Sequence, residues 1–226
     1  MDVILDELNG DPHRLLARMR EQGPVSWLPA LGGWLVTGYE AATGVLLDPV
    51  AFTVDDPRFT TARVTGPSML SLDGAEHARH RASFAYDLRP AEAERRLGDF
   101  TRAEASRLVA AIKPAGSVEL RQDFAGPLAA AVMAEALGLA AVGIAPDVVL
   151  AWYREIVTAV AELTPSAAAG QSASVASFQE LAASLHAAIA SGKAPLLSRA
   201  AQSGMLTGDE VVSNAAVALF GGIETT

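Results

Sequence analysis

The sequence predicts a mainly α-helical fold with one small β element near its start. Three observations carry that expectation. Half of the 226 residues are apolar, with alanine foremost, against 6% aromatic and 19% charged, a composition suited to a packed core. Apolar residues recur in long stretches with few β-branched runs, which favours helix over strand. No internal repeat or clean interdomain linker divides the chain, so it reads as part of a single domain.

Asp11-Pro12 opens the first helix, with Leu15, Leu16 and Met19 at helical spacing and Gly23-Pro24 ending it. Residues 25–28 and 33–37 read as a hairpin joined through Pro29 to Gly32. Residues 39–47 form a short helix stopped by Asp48-Pro49. Residues 51–72 hold Pro57, Gly66 and Pro67 with little periodicity, a loop of the length that is usually functional or mobile. Helical patterns follow at 75–87, 91–112, 122–138, 146–163, 173–190 and 208–226. A brief strand over Ser117 to Leu120 and a flexible Ala/Ser/Gly-rich connector over Thr164 to Ser174 interrupt them. The last helix is launched by Thr207 and Glu210 at capping-box spacing. It is apolar nearly all round, as expected of a helix in the middle of a large protein, and has no glycine, proline or basic stop signal before Thr226.

The net charge of −9 argues against general binding to nucleic acid or anionic membrane, both of which need excess positive charge. Only two of the 17 basic residues are lysines, Lys113 and Lys193. There is no cysteine, hence no disulfide and no thiolate nucleophile or metal ligand within these residues. Two acids among the first residues rule out a basic signal-peptide start, and charges interrupt every apolar run short of a membrane span. These features predict a cytoplasmic protein with no membrane or nucleic-acid partner.

Two constellations carry chemistry. In Ser71-Leu72-Asp73-Gly74-Ala75-Glu76-His77-Ala78-Arg79-His80-Arg81, Asp73 is placed to cap a helix, with Glu76 three residues on. His77 and Arg81 are four apart and project from one face. Together they can donate to paired carboxylates or a phosphate. A solvated basic face and a His77–His80 metal pair are the competing readings. At the end, Gly221 and Gly222 sit inside an otherwise well-packed helix, each costing about 1 kcal/mol relative to alanine. They can admit a flat ligand to the backbone and let the helix open locally. Thr225, four residues after Gly221, and Glu224 beside it form a plausible proton relay. A close helix–helix crossing through the glycines is the alternative.

The two motifs, in this order and with matching helices between, resemble the cytochrome P450 superfamily in its soluble bacterial members. Leu72 to Arg81 looks like that family's C-helix motif, with Gly74 and Ala75 where the family usually has two prolines. Gly221-Gly222-Ile223-Glu224-Thr225-Thr226 looks like its I-helix signature. Trp34-Leu35-Val36-Thr37-Gly38-Tyr39 fits its early hairpin and the start of its B helix. The resemblance runs from about residue 10 to the end and implies a P450-like fold cut within the I helix, comprising helices A to I.

By this resemblance the cofactor is haem b, iron protoporphyrin IX, and the reaction is oxidation of a small apolar organic substrate with O2. His77 and Arg81 would hold its propionates. Met69, Leu70, Leu88, Gly221, Gly222, Thr225 and Thr226 would border the haem. Glu224 and Thr225 would relay protons, and Val217, Phe220 and Gly221 would line the substrate pocket. The loop over 51–72 and the region around 152–178 would roof that pocket. Arg79, Arg81, Arg89, Arg95 and Arg96, against Asp87, Glu92 and Glu94, would form a basic face for a ferredoxin, itself served by a ferredoxin reductase. The iron's cysteine ligand is expected beyond residue 226, so these residues are expected to be only part of the catalytic unit. The chain would then be part of a longer enzyme, half of a split one, or a truncated, inactive helical protein that binds small molecules or a partner.

Overall fold

The structure, a computed structural model, describes residues 7–8, 10–163 and 175–226. The expected connector over Thr164 to Ser174 lies outside the described residues. Helix α1 (His13–Gln22) buries Leu15 and Met19 and ends at Gly23. Strands β1 (Val25–Leu28) and β2 (Gly33–Val36) pair antiparallel, with Trp27 opposite Trp34. Their indole rings meet edge to face at 5.4 Å, a favoured aromatic geometry. Leu28 packs on Leu15 and Met19 in a small satellite core with Leu8 and Leu35. Helix α2 (Tyr39–Leu47) follows, as expected.

The long loop holds one turn of order that the sequence reading missed, α3 (Thr60–Thr65). Next come α4 (Gly74–Ala85), α5 (Pro90–Ile112), α6 (Gly126–Ala136), α7 (Pro146–Glu162), α8 (Ala176–Ala190), α9 (Pro195–Gln202) and α10 (Gly208–Glu224). Four of these, α5, α6, α7 and α9, carry proline in the first turn, where its missing N–H costs nothing. Helix α9 was also missed, although Pro195 before it and Gly204 after it are the usual punctuation of a helix.

The expected strand over Ser117 to Leu120 is a correction. No partner strand lies beside it among the described residues, and side chains take its backbone donors instead. The Asp123 carboxylate accepts from Glu119 N–H at 2.9 Å, and the Glu119 carboxylate accepts from Arg121 and Gln122 N–H at 3.2 and 2.6 Å. This cap launches a π-helical turn, Arg121–Ala125, ahead of α6. Pro127 lacks the N–H that an α-turn would direct to the carbonyl of Asp123, so a wider turn there is no surprise.

The main core lies among α6, α7, α8, α9 and α10. Leu139, Val149, Ile156, Leu181, Leu185, Leu197, Val211 and Leu219 are completely buried there. Each such aliphatic side chain contributes about 1.5–3 kcal/mol of transfer free energy. Helix α10 is central, buried from Val211 to Val217 and again at Leu219, Phe220 and Ile223, as its all-round apolar pattern requires. No described helix is long and apolar enough to cross a membrane.

Close packing also explains particular glycines. Gly138 has φ +72°, and a Cβ there would lie 2.6 Å from the Cβ of Ala194; Gly143 has φ +86° with nothing within 4 Å. Gly143→Ala should therefore cost only the strain of a left-handed L-residue, about 1–2 kcal/mol. Gly138→Ala should cost clearly more, because backbone must move. Urea unfolding of the two variants checks this, and equal losses would show that the contact with Ala194 relaxes freely.

Candidate functional site

Helix α4 begins at Gly74, whose φ of +58° is closed to proline, so the glycine here changes how the helix starts. Asp73 does not cap α4, contrary to expectation. Its carboxylate turns back to accept from Thr53 Oγ1 at 2.5 Å and Val54 N–H at 2.8 Å, closing the preceding loop. Those donors, with Thr53 foremost, hold its carboxyl below the ordinary aspartate range. His77 is half-buried and Arg81 exposed, and neither side chain makes a hydrogen bond or ion pair among the described residues. A cationic fork and an imidazole one turn apart are thus both open to an anion.

His80 has a different role. It is 1% exposed, and its Nδ1 lies 2.8 Å from Nδ2 of the fully buried Asn214 on α10. The same Nδ2 donates to the carbonyl of Glu210 at 2.6 Å, and Asn214 Oδ1 accepts from Met69 N–H at 2.8 Å. A His77–His80 metal pair is therefore not assembled, since His80 is committed to this junction. Beside it, Arg79 forks onto Glu210 at 2.6 and 3.2 Å and onto Glu76 at 2.7 and 3.1 Å. Glu210 also completes the capping box, accepting from Thr207 N–H at 2.8 Å while Thr207 Oγ1 accepts from Glu210 N–H at 3.2 Å.

At the far end of α10 the helix runs unbroken through Gly221 and Gly222. The local opening anticipated for the glycines is not present. The two differ in surroundings: a Cβ on Gly222 would meet Met133 Sδ at 2.5 Å, whereas one on Gly221 would meet nothing within 4 Å. Gly222 is thus the close crossing and Gly221 the open position. Thr225 Oγ1 donates to the carbonyl of Gly221 at 2.7 Å, and Thr226 Oγ1 to that of Gly222 at 2.9 Å. Glu224, Thr225 and Thr226 are exposed.

No family model matches the chain. Over 150 residues it is 30% identical to a cytochrome P450 monooxygenase, PikC of Streptomyces venezuelae, covering 62% of this chain and 35% of that protein. Over 146 residues it is 25% identical to cytochrome P450 109 of Bacillus spizizenii, covering 60% of this chain and 33% of that one. The chain thus matches about a third of the length of these curated relatives. Among solved structures, the cytochrome P450 enzyme CYP109B1 of Bacillus subtilis superposes with a TM-score of 0.72 at 20% identity, over 95% of this chain and 57% of that one. This is part of a cytochrome P450 fold.

In that P450 fold, α4 and α10 stand where the resemblance puts the C and I helices. Met69 is half-buried against the main core, while Leu70 and Leu88 are exposed at 48% and 52%. Val217 and Phe220 lie within the main core, with the Phe220 ring 6.2 Å from that of Tyr153 on α7. Residues 64–67 and Phe178, from the segments expected to roof the pocket, border a cavity that does not include Val217, Phe220 or Gly221. That cavity, of about 340 Å³, lies between residues 64–67, the α8 side chains Phe178, Ala182 and His186, and the first turns of α10.

The expected basic face is narrower than the five arginines suggested. Arg95 pairs with Glu92 at 2.6 Å and Arg96 with the buried Asp87 at 3.1 Å, and Arg79 is taken by Glu76 and Glu210. Among the described residues Arg81 and Arg89 have no carboxylate partner. Arg89 and Arg199 stand 5.4 and 5.1 Å from the centre of the Tyr86 ring, each a cation–π contact. The sequence reading missed His80, Asn214 and Glu210 as a junction. The signal that could have found them is a lone asparagine inside an apolar helix, which needs partners if it is buried.

The Glu210 carboxyl is held at about 2 rather than its usual 4.5, first by the hydrogen bonds of Arg79 and next by Thr207 N–H. A depressed carboxyl stabilises the fold fully above its unfolded value, near pH 4.5, and loses that contribution as pH falls towards 2. Glu210→Gln keeps the capping acceptor and removes the charge. Its urea midpoint should lie below the parent's above pH 4.5, with the gap closing between pH 4.5 and 2; a gap independent of pH would show that the charge adds nothing.

Proposed function

We propose that this chain forms part of a haem-dependent monooxygenase that uses O2 to oxidise a small apolar organic molecule. One observation carries the reading. Two helices joined at the His80–Asn214 junction bear, on α4, His77 and Arg81 without a partner among the described residues and, on α10, the Thr225 hydroxyl bonded to the carbonyl of an open Gly221. Similarity to a P450 monooxygenase over part of the chain supports it.

The residues fit haem b. Arg81 offers two forked donors and His77 an imidazole N–H, a donor set suited to propionate carboxylates. The missing wall at Gly221 leaves the α10 backbone open to a flat macrocycle, and Leu70 and Leu88 offer apolar surface. When bound, haem supplies the one-electron and oxygen chemistry that protein side chains lack. None of these residues would supply a thiolate to that group, since they hold no cysteine.

Thr225 holds the proton-handling position. Its hydroxyl proton is directed to the Gly221 carbonyl, which leaves its oxygen lone pairs free to accept from a neighbouring group or water. Glu224 beside it is exposed, so its carboxyl group is open to solvent. Tyr153, half-buried beside the Phe220 ring, would supply apolar surface to a substrate, while Val217 and Phe220 are buried in the core. We assign a cytoplasmic setting, with a ferredoxin, itself served by a reductase, as electron donor docking at the face of Arg81 and Arg89. A haem-free small-molecule-binding protein is the second reading, favoured by the cavity over α8 and α10.

The full-length protein, purified and reduced under carbon monoxide, should show the Soret shift of a thiolate-ligated haem; a spectrum without a Soret band would favour the second reading. Thr225→Ala should keep haem and lose product formation by about 10²-fold or more, the usual scale for a positioned proton-transfer group, while O2 consumption continues. Product formation that still matches O2 consumption would remove the relay. Arg81→Ala should lower haem occupancy after purification, and equal occupancy would remove the clamp.

A further inference from the structure

We propose that Asn214 is a positioning residue: it fixes the register of α10 against α4 and the loop at Ser68–Ser71, and so sets where Gly221 and Thr225 stand relative to the His77–Arg81 face. Its functional consequence rests on the monooxygenase reading above. Its structural content does not.

The orientation of the Asn214 amide has one solution. Met69 N–H can only donate and the Glu210 carbonyl can only accept, so Oδ1 faces the first and Nδ2 the second. Nδ2 therefore also faces His80, whose Nδ1 must accept. The ring hydrogen then sits on Nε2; of its two neighbours Arg79 Nη2 at 3.1 Å can only donate, so the hydrogen is directed to Glu210 Oε1 at 3.4 Å. Three segments are read by one side chain, and each bond is directional. Next to it Ser213 Oγ donates to the Thr65 carbonyl at 2.6 Å, and a Cβ on Gly66 would lie 2.9 Å from that hydroxyl. Consecutive residues of α10 thus hold both ends of the segment from Thr65 to Met69.

Stability alone does not call for an asparagine here. It is a poorer helix former than alanine, it is 0% exposed, and both following residues are alanines that pack without polar cost. Apolar packing lacks direction and tolerates small slides, whereas a satisfied buried polar junction admits one register. The stripe on which Asn214 lies makes that register matter. Residues 214, 218, 221 and 225 fall at i, i+4, i+7 and i+11, so Asn214, Ala218, Gly221 and Thr225 share one face. The stripe is closed by His80 and Met69 at one end and open at Gly221 and Thr225, about 10 and about 16 Å further on. A one-residue slip of α10 would turn Thr225 by about 100°.

The test uses the full-length protein with Asn214→Leu, Asn214→Asp, His80→Leu and the double variant His80→Leu/Asn214→Leu. Amide hydrogen exchange is followed at Met69 and from Gly221 to Thr226, alongside haem absorbance, substrate KM and product formed per O2 consumed. Asn214→Leu should speed exchange in both segments and lower product per O2 by about tenfold or more, the scale on which ångström-level misplacement acts, with KM unchanged. Asn214→Asp should recover part of both losses, since it still accepts from Met69 and can accept from His80 once the ring hydrogen moves to Nδ1. The double variant should be no worse than Asn214→Leu, as expected of two members of one junction.

Parent-like exchange over Gly221–Thr226 in folded Asn214→Leu overturns the proposal, as does a fall in coupling that Asn214→Asp fails to relieve. Should Asn214→Leu not fold, His80→Leu and Asn214→Asp decide by the same exchange measurement. A parent protein without haem sinks the monooxygenase reading alone, because exchange reports the register whether or not haem is bound.

Discussion

Helix α10 is enclosed over most of its length and open at its end, and the rest of the structure is arranged around that gradient. From Val211 to Val217 every side chain is buried, by α6 on one side, α8 and α9 on others, and α4 with its preceding loop on the remaining face. An all-round apolar helix can be stable in water only if something covers each face. The short α3 and the segment after it supply one such cover, which is why a stretch with little sequence periodicity is nonetheless ordered. Beyond Phe220 the cover thins, and Gly221, Glu224 and Thr225 reach the surface. The chemistry proposed for the chain sits where the enclosing helices stop.

Charge is handled by the same economy of positions. The start of α10 concentrates two acids, Asp209 and Glu210, over a helix N-terminus, where the macrodipole and capping favour negative charge. Glu210 is the more constrained, since it caps its own helix, holds Arg79 and faces His80. That convergence gathers α4 onto α10 through a partly buried, multiply bonded carboxylate, in contrast to the exposed pairs along α5 such as Arg102 with Glu94 and Asp99. Those surface pairs lie in high dielectric and contribute little each. Asp87, nearly inaccessible between Arg96 and Arg199, makes the corresponding tie from the end of α4 to α5 and α9.

What was legible in the sequence divides along physical lines. Helices with a strong apolar stripe and proline or glycine punctuation, such as α1, α5, α7 and α10, were readable, because burial and backbone sterics act locally and leave their mark in spacing. The capping box of α10 was readable for the same reason. Asp73 was misread because two uses of its carboxylate compete, capping its own helix or closing the loop at Thr53, and only tertiary structure decides between them. The segment from Ser117 to Leu120 was misread because four residues of strand-like composition say nothing about whether a partner strand lies alongside. The junction of His80, Asn214 and Met69 joins positions up to 145 residues apart, and no local rule reaches that far.

The two glycines show why a motif is best resolved residue by residue. Both would cost the helix about the same in backbone entropy, and the sequence offered either ligand approach or close packing for the pair as a unit. The structure divides the work: Met133 on α6 fills the space over Gly222, while the space over Gly221 is open. Packing thereby fixes how near α6 comes, and the open neighbour inherits a backbone carbonyl whose partner is the Thr225 hydroxyl. An alanine at Gly222 would have to displace the Met133 side chain and would move that carbonyl only indirectly. The same change at Gly221 would meet no protein atom and so act solely on whatever approaches the helix from outside. On the proposed reading the open position at Gly221 falls to ligand, while the space over Gly222 is already taken by Met133.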